Sequence, residues 1–372
     1  MLRTITRTLE GNAMREILSR FQLAGTPVSC ERYGSGHINE TYRAQTDAGR
    51  AYILQKINRR VFRNVPALME NIRAVTGHLA AREKDPRHVL TLVPTLAGES
   101  YAVDGAGEYY RVYDFVEGSV CLDSPRTPED FYQSGVAFGT FQNLLADFPA
   151  ATLSETIPRF HDTPARCQAL QKAAREDARG RRREVEAELA FAFARADEAD
   201  ALQAMLRAGE LPLRVTHNDT KLNNVLLDAV TGKPLCVIDL DTVMPGLAAN
   251  DFGDSIRFGA STGAEDERDL SRIELSLPLY ETYAKGFLGA CGERLTRAEI
   301  DTLPLGAKLM TYECGVRFLA DYLAGDVYFH TAYPGHNLDR CRTQFRLVAD
   351  MEAKWDAMRE VIAQNACGSI RW

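Results

Sequence analysis

The sequence predicts a mixed α/β (α+β) protein in two lobes, a small β-rich N-terminal lobe and a large helical C-terminal lobe. Two observations support this prediction. Short β-prone runs separated by turn residues occupy the stretch from Pro27 to about Val116. After Glu117-Gly118, apolar residues recur every three or four positions over long stretches, which is typical of amphipathic helices. We therefore assign residues 1–116 to the first lobe and residues 117–372 to the second, with a ligand cleft between them.

The predicted elements follow in chain order. The β-prone runs of the first lobe are residues 28–33, 40–45, 51–57, 89–95 and 109–115. One helix over residues 65–79 interrupts them, because Leu68, Ile72, Val75 and Leu79 recur at helical spacing. In the second lobe, helices are predicted over residues 128–145, 183–206, 270–288, 297–323 and 338–363. Short strands are predicted there over residues 213–216, 225–227 and 235–240.

Composition narrows the class of protein. The 372 residues carry 44 Lys plus Arg against 51 Asp plus Glu, a formal net charge of −7, which gives no basis for binding a nucleic-acid backbone. No segment approaches the roughly 20 apolar residues that span a bilayer, so no membrane partner is expected. The eight cysteines form no C-x-x-C pair and the N-terminus lacks a secretory apolar core, so we expect a cytoplasmic protein, monomeric or dimeric.

The most informative stretch lies between two short apolar strands and contains His217, Asp219 and Asn224 in the pattern H-x-D-x-x-x-x-N. Phosphoryl transfer to a hydroxyl needs a carboxylate that orients the nucleophile and takes its proton, with an oxygen ligand for Mg²⁺ nearby. Asp219 and Asn224 supply these two groups. We group His217 and Lys221 with Asp219 as the catalytic loop.

A second carboxylate follows the apolar strand that leads to Asp239, 20 positions after Asp219. A hairpin would bring that strand end beside the loop, where Asp239 can complete the oxygen ligands of Mg²⁺, with Asp241 as an auxiliary ligand. The tripeptide Asp251-Phe252-Gly253 matches the metal-binding motif of protein kinases, but no apolar strand leads into it. We interpret Asp251 as structural, or as a residue that supports the metal ligands without touching the metal.

A nucleotide site is predicted in the first lobe. Gly34, Ser35 and Gly36 form a glycine-rich turn whose amides can approach phosphates, although an ordinary hairpin would read the same way. Lys56 on the third strand, held by Glu70 on the helix, would touch the phosphates, unless the two are simply an edge-strand lysine and a surface glutamate. The adenine is expected at backbone groups from Asp114 to Val116.

This ordered set resembles the aminoglycoside phosphotransferase and choline kinase superfamily, which has a protein-kinase-like fold. Several sequence segments between roughly residues 30 and 350 are similar to those of N-acetylhexosamine 1-kinases. They begin with Gly36-His37-Ile38-Asn39-Glu40-Thr41-Tyr42, His217-Asn218-Asp219-Thr220-Lys221 and Ile238-Asp239-Leu240-Asp241-Thr242. They continue in the C-terminal run from Tyr312 to Leu323 and in Gly325-Asp326-Val327-Tyr328-Phe329.

The resemblance implies transfer of the γ-phosphoryl group of ATP, with Mg²⁺, to the anomeric hydroxyl of N-acetylglucosamine or N-acetylgalactosamine. It also implies that His37, Arg317 and Tyr328 contact the sugar, with Phe258 as a wall of the pocket. Arg317 as a buried ion-pair partner, and Tyr328 and Phe258 as core aromatics, remain open at this point. So do two rival functions: a kinase for choline, homoserine, methylthioribose or an aminoglycoside, and a catalytically silent nucleotide-binding module.

Overall fold

The computed structural model describes residues 14–34 and 38–366. The strands are β1 (Pro27–Arg32), β2 (Glu40–Thr46), β3 (Ala51–Lys56), β4 (Leu92–Val93), β5 (Ala102–Val103), β6 (Tyr109–Asp114), β7 (Ser119–Cys121), β8 (Arg214–Thr216), β9 (Val225–Asp228), β10 (Pro234–Val237) and β11 (Met244–Gly246). The helices are α1 (Val65–Ala80), α2 (Pro128–Leu144), α3 (Thr163–Glu176), α4 (Glu186–Phe193), α5 (Ala201–Arg207), α6 (Ala248–Gly259), α7 (Leu277–Cys291), α8 (Arg297–Ala324), α9 (His336–Ala353) and α10 (Trp355–Ala366).

The N-terminal lobe is an antiparallel sheet in the order β1-β2-β3-β6-β4, with β5 also paired to β6. Its two faces differ because side chains alternate along each strand. Leu54 and Val112 pack on one face with Leu18 and Phe21, whereas Tyr113 packs on the other face with helix α1. The face that carries α1 is also the face turned toward the helical lobe.

The chain leaves this sheet after Asp114 and enters a second one at Ser119, where β7 pairs with β9 in the order β10-β9-β7. A two-stranded ladder of β8 and β11 lies beside it. The mixed α/β architecture, with a β-sheet N-terminal region and a helical C-terminal part, is therefore confirmed. The division of the chain at residue 116 as a lobe boundary stays a prediction.

Helices α6 and α8 cross closely in the core of the second lobe. Phe252 and Ile256 on α6 are fully buried there. A Cβ added at Gly253 would collide with the backbone of Gly306 on α8 and come within 2.8 Å of the Met310 side chain. The literal Asp251-Phe252-Gly253 is therefore a helix-packing segment, which agrees with the structural interpretation of Asp251.

Several predicted boundaries are wrong, and two helices were not predicted. The predicted helix over residues 183–206 is split between α4 and α5, and that over residues 338–363 is broken at Lys354. Helix α6 was missed because it is only 12 residues long and its polar residues Asn250, Asp251 and Asp254 are buried together with its apolar ones. Helix α3 was missed because few of its buried positions are large and apolar.

Two further sequence expectations can be compared with the structure. The seven cysteines among the described residues are all free: Cys30, Cys121, Cys167, Cys236, Cys291, Cys314 and Cys341. Within residues 14–34 and 38–366, no helix combines the length and the apolar character that crossing a membrane requires.

The two lobes are joined by a buried ion pair. Arg111 on β6 is 0% exposed and Asp241, which follows the predicted metal ligand Asp239, is 2% exposed. The Arg111 guanidinium donates to one oxygen of Asp241, and the amide of Asn39 donates to the other. The Oε1 atom of Gln55 accepts from Arg111 Nε and Nη2 at 2.9 and 2.8 Å, so the cation is also fixed to strand β3.

We expect Gly253→Ala to lower the free energy of unfolding by about 1–3 kcal/mol, because the added methyl group must displace the backbone of α8. Urea unfolding measures the change. The matched control is Gly289→Ala on α7, where nothing lies within 4 Å of the new methyl group, and which should be neutral or stabilising. Equal losses in both variants would contradict the close crossing of α6 and α8.

We expect Arg111→Met to lower the free energy of unfolding by about 3–5 kcal/mol, because it leaves Asp241 buried without its cation. Adding Asp241→Asn should recover part of the loss. The control is Arg73→Met, since Arg73 pairs with Glu70 at the surface and should change stability by less than about 0.5 kcal/mol. An Arg111→Met protein as stable as the control would disprove the joining role of the pair.

Candidate active site

The predicted catalytic loop connects β8 to β9. Asp219 is held in it by two neighbours: Lys221 Nζ lies 2.9 Å from Asp219 Oδ1, and Asn224 Nδ2 lies 3.1 Å from Oδ2. Asn224 Nδ2 also donates to the Asp219 carbonyl at 2.8 Å. The side chain of Asp219 keeps 27% exposure, so an acceptor can reach the carboxylate. Burial raises the pKa of Asp219, but the charge and hydrogen bond of Lys221, together with other positive charges such as that of Arg257, hold that pKa below its ordinary value.

The loop takes its shape from Asp251 on α6. Its Oδ1 accepts the Asn218 N–H at 2.7 Å, and its Oδ2 accepts the His217 N–H at 2.9 Å and Gln142 Nε2 at 2.7 Å. These bonds hold Asn218 in the left-handed region at φ +64°, a conformation that non-glycine residues adopt rarely. Asp251 therefore acts on the site by fixing the backbone just before Asp219.

His217 does not face the cleft, which corrects its place among the catalytic residues. It is fully buried, with the rings of Phe138 and Phe141 at 5.4 and 6.0 Å from its own. Its Nδ1 accepts the Asp219 N–H at 3.3 Å and its Nε2 lies 2.8 Å from the Ile238 carbonyl oxygen. His217 thus ties the catalytic loop to the strand end that carries Asp239.

Asp239 follows β10 and has φ +58°. Burial raises its pKa to about 7, with the charges of Asp241 and Asp219 acting in the same direction. Carboxylates brought together in this way repel one another, and a divalent cation would relieve the repulsion. The residues present therefore fit Mg²⁺ held by Asp239 and Asn224.

Asp241 does not fit as an auxiliary metal ligand. Both of its carboxylate oxygens accept hydrogen bonds from the N-terminal lobe, one from Arg111 and one from Asn39. Among the described residues, no group of three or more His, Cys, Asp and Glu side chains is placed to hold a metal ion. The candidate site instead combines carboxylates with the amide of Asn224.

The predicted Lys56–Glu70 ion pair is not formed. Lys56 lies on the sheet face away from α1, with its Nζ 4.0 Å from Glu40 and 3.8 Å from Glu108. Glu70 is 63% exposed and pairs with Arg73 one turn along the same helix. Arg111, in contrast, is fully buried on the face turned toward the helical lobe, where it pairs with Asp241. Strand alternation provides the missed signal: Arg111 stands opposite Gln55 in the ladder, so both project from the face opposite to that of Lys56.

The structure describes the predicted nucleotide segments only in part. Gly34 has φ +77°, which favours glycine, whereas Ser35, Gly36 and His37 lie outside the described residues. At the crossover between the sheets, the Phe115 ring has Arg43 above it at 4.6 Å and Tyr33 edge-on at 6.0 Å. Asp114 is half-buried beside Arg50, and Val116 is buried in the core below.

The C-terminal candidates lie around the middle and end of α8. The Arg317 guanidinium carbon is 5.4 Å from the ring centroids of Phe160 and Phe329 and 5.9 Å from that of Tyr328. Within the described part of the chain, Arg317 makes no hydrogen bond or ion pair, so the alternative of a buried ion-pair partner is wrong. Its donors are available to a ligand.

Tyr328 and Phe258 differ in their surroundings. Tyr328 is 61% exposed, so it is not a core aromatic. The Asp321 carboxylate accepts the N–H groups of residues 327, 328 and 329 at 2.9, 2.9 and 3.0 Å and so fixes the loop that presents this ring. Phe258 on α6 is half-buried and belongs to none of the apolar clusters of the described core.

Sequence reasoning missed one group beside the loop. His161 is not among the predicted site residues, yet its side chain is buried between α8 and the catalytic loop, where its ring nitrogens face Glu313 and the Asn218 carbonyl. No sequence spacing indicates this contact, because residues 161, 218 and 313 meet only in the folded chain.

Several solved structures share this fold. An aminoglycoside phosphotransferase from Alicyclobacillus acidocaldarius is 16% identical, with a TM-score of 0.61 and coverage of 95% of this chain and 96% of that one. A microcompartment-associated aminopropanol kinase is 17% identical, with a TM-score of 0.58 and coverage of 93% and 98%. An amicoumacin kinase, solved with AMP-PNP, Ca²⁺ and Ami, is 15% identical, with a TM-score of 0.56 and coverage of 98% and 96%.

A family model described as "Phosphotransferase enzyme family" matches residues 29–285, which contain the glycine-rich turn, the catalytic loop and Asp239. With the fold and the loop geometry in agreement, the chain belongs to this family of small-molecule phosphotransferases.

Proposed function

We propose that this protein is an ATP-dependent sugar kinase that phosphorylates the C1 hydroxyl of N-acetylglucosamine or N-acetylgalactosamine. The observation that carries the proposal is the Arg317 guanidinium, held among three aromatic rings without a carboxylate partner in the described chain. It offers directional donors to the oxygens of a neutral sugar or its acetamido group. The aromatic rings offer the flat apolar surface that a sugar ring packs against.

In this reaction, Asp219 would orient the C1 hydroxyl and accept its proton as the phosphoryl group is transferred. The depressed pKa of Asp219 keeps it an anion at neutral pH, and Lys221 fixes its carboxylate. The N-terminal lobe, residues 1–116, would bind ATP between the glycine-rich turn and the segment from Asp114 to Val116. His37 would reach the sugar from that turn.

Asn224 and Asp239 would hold Mg²⁺ between the catalytic loop and the nucleotide. When bound, the cation neutralises charge on the phosphate oxygens and so favours in-line transfer. Catalysis by this chain then rests on positioning the acceptor and on the fixed charges around it.

Kinases for cationic acceptors are the alternative. A site for choline, ethanolamine or an aminoglycoside needs carboxylates or an aromatic cage that faces the acceptor. Here, a second cation, Arg166, lies near Arg317. Burial lowers the pKa of Arg166, and the positive charge of Arg317 lowers it further. The carboxylate of Glu313 is already engaged by His161 and Thr163. This arrangement favours a neutral acceptor.

The first test is a coupled assay of ADP release with Mg²⁺-ATP and a panel of acceptors: both N-acetylhexosamines, N-acetylmannosamine, glucose, galactose, choline, homoserine and kanamycin. We expect turnover on an N-acetylhexosamine, with an anomeric phosphate in the phosphorus NMR spectrum. Asp219→Asn should reduce kcat by about 10²–10⁴-fold with little change in the KM for ATP. Asp147→Asn, an exposed carboxylate elsewhere on the lobe, is the control.

Turnover on choline, homoserine or kanamycin alone would refute the sugar assignment and leave the phosphotransferase. No turnover on any acceptor would favour the silent nucleotide-binding module.

We expect Arg317→Ala to raise the KM for the sugar by about tenfold or more, because it removes charged donors to an uncharged ligand, and to leave the KM for ATP nearly unchanged. Arg59→Ala is the control, since Arg59 also stacks on a tyrosine, Tyr109, but in the N-terminal lobe. A sugar KM that stays at the wild-type value would remove Arg317 from the acceptor site.

A further inference from the structure

The peptide group that joins Asn218 to Asp219 is held at both ends by histidine rings. Its N–H donates to His217 Nδ1 at 3.3 Å, and its carbonyl oxygen lies 3.2 Å from His161 Nε2. Rotation about the Cα–C bond of Asn218 would tilt this peptide plane and move the Cα of Asp219, and therefore its carboxylate. The two rings together fix the plane.

His161 is itself oriented by a buried carboxylate. Its Nδ1 lies 3.0 Å from Glu313 Oε1, and the Thr163 hydroxyl donates to Oε2 at 2.8 Å. The side chains of His161 and Glu313 are 8% and 1% exposed. Burial raises the pKa of Glu313, but the hydrogen bond from His161, the nearby Arg317 guanidinium and the Thr163 hydroxyl together hold that pKa below its ordinary value. Glu313 Oε1 and the Asn218 carbonyl oxygen are both acceptors, so each ring nitrogen of His161 faces an acceptor.

The same segment also reaches the proposed acceptor site. Glu313 and Arg317 stand one turn apart on α8, so both project from the same face of that helix. The Phe160 ring lies 4.4 Å from the His161 ring and 5.4 Å from the Arg317 guanidinium carbon. The main-chain oxygen of His161 accepts from Gln203 Nε2 at 3.2 Å, which fixes the segment from outside.

We propose that His161 and Glu313 are a positioning pair, which sets the plane of the 218–219 peptide and so aims the Asp219 carboxylate at the acceptor hydroxyl. The proposal rests on the proposed function only in taking Asp219 as the base. Neither residue touches the transferred group. A displacement of about 1 Å at the base is enough to slow such a reaction by about 10²-fold, so a positioning pair affects kcat strongly.

Two amide substitutions separate the two bonds of His161. The side-chain nitrogen of Gln reaches the position of Nε2, so His161→Gln keeps a donor to the Asn218 carbonyl and loses the bond to Glu313. The nitrogen of Asn reaches the position of Nδ1, so His161→Asn keeps the bond to Glu313 and loses the one to Asn218. Both variants therefore introduce a side-chain amide, but each keeps the hydrogen bond that the other loses.

We expect His161→Asn to lose at least tenfold in kcat while the KM for ATP stays within about twofold of wild type, and His161→Gln to lose only severalfold, because it keeps the donor to the Asn218 carbonyl but not the orienting contact with Glu313. If His161 had only a structural role, the order would be reversed, because His161→Gln leaves the buried, charged Glu313 without its partner and should be the less stable protein. Equal kcat in the two variants, or lower kcat in His161→Gln, would overturn the proposal.

If His161→Asn does not fold, Glu313→Gln provides the second measurement. It keeps the shape of the site and removes the charge that orients His161, so kcat should fall severalfold with the KM for ATP unchanged. Wild-type kcat in Glu313→Gln would overturn the proposal.

The acceptor panel keeps the two proposals apart. If wild-type protein turns over only another acceptor, the sugar assignment fails, and the variants are compared on that acceptor. If wild-type protein turns over none of the acceptors, the variants are compared by their rates of ATP hydrolysis, with water as the acceptor. The proposal then requires His161→Asn to be slower than His161→Gln.

Discussion

The site depends on a single buried carboxylate, that of Asp251. Its two oxygens accept three hydrogen bonds, two of them from consecutive N–H groups of the catalytic loop. A buried acceptor without donors is costly, so helix α6 and the loop stabilise each other. The left-handed backbone at Asn218 persists because these bonds offset its strain. Asp219 therefore projects from a backbone that is fixed before any ligand binds.

A buried charge pair links the segment that follows β10 to the N-terminal sheet. Arg111 and Asp241 are both withdrawn from water, and such a pair contributes little net stability unless its geometry and further hydrogen bonds are good. Gln55 and Asn39 supply those bonds. The strand end that carries Asp239 is thereby attached to the lobe proposed to bind ATP. Movement of one lobe relative to the other would move Asp239 with it.

The polar connections around Asp219 converge from separate parts of the chain. His217 accepts the N–H of the 218–219 peptide group, and His161 faces the carbonyl oxygen of the same group. Lys221 and Asn224 hold the Asp219 carboxylate. His217 also faces the Ile238 carbonyl oxygen and His161 also faces Glu313, so these two rings tie the loop to other elements. This arrangement suits catalysis by positioning, in which the donors and charges are in place before the reaction.

The sequence by itself determined the lobe order, the long helix α8 and the catalytic loop, because periodicity and a local motif are properties of neighbouring residues. It misassigned Lys56 and Glu70, since the face of a strand depends on register and a glutamate one turn from Arg73 can pair locally. Only the tertiary structure decided that Arg111 pairs with Asp241 and that residues 161, 218 and 313 meet. Those contacts join segments more than 50 positions apart, where no spacing in the sequence specifies distance.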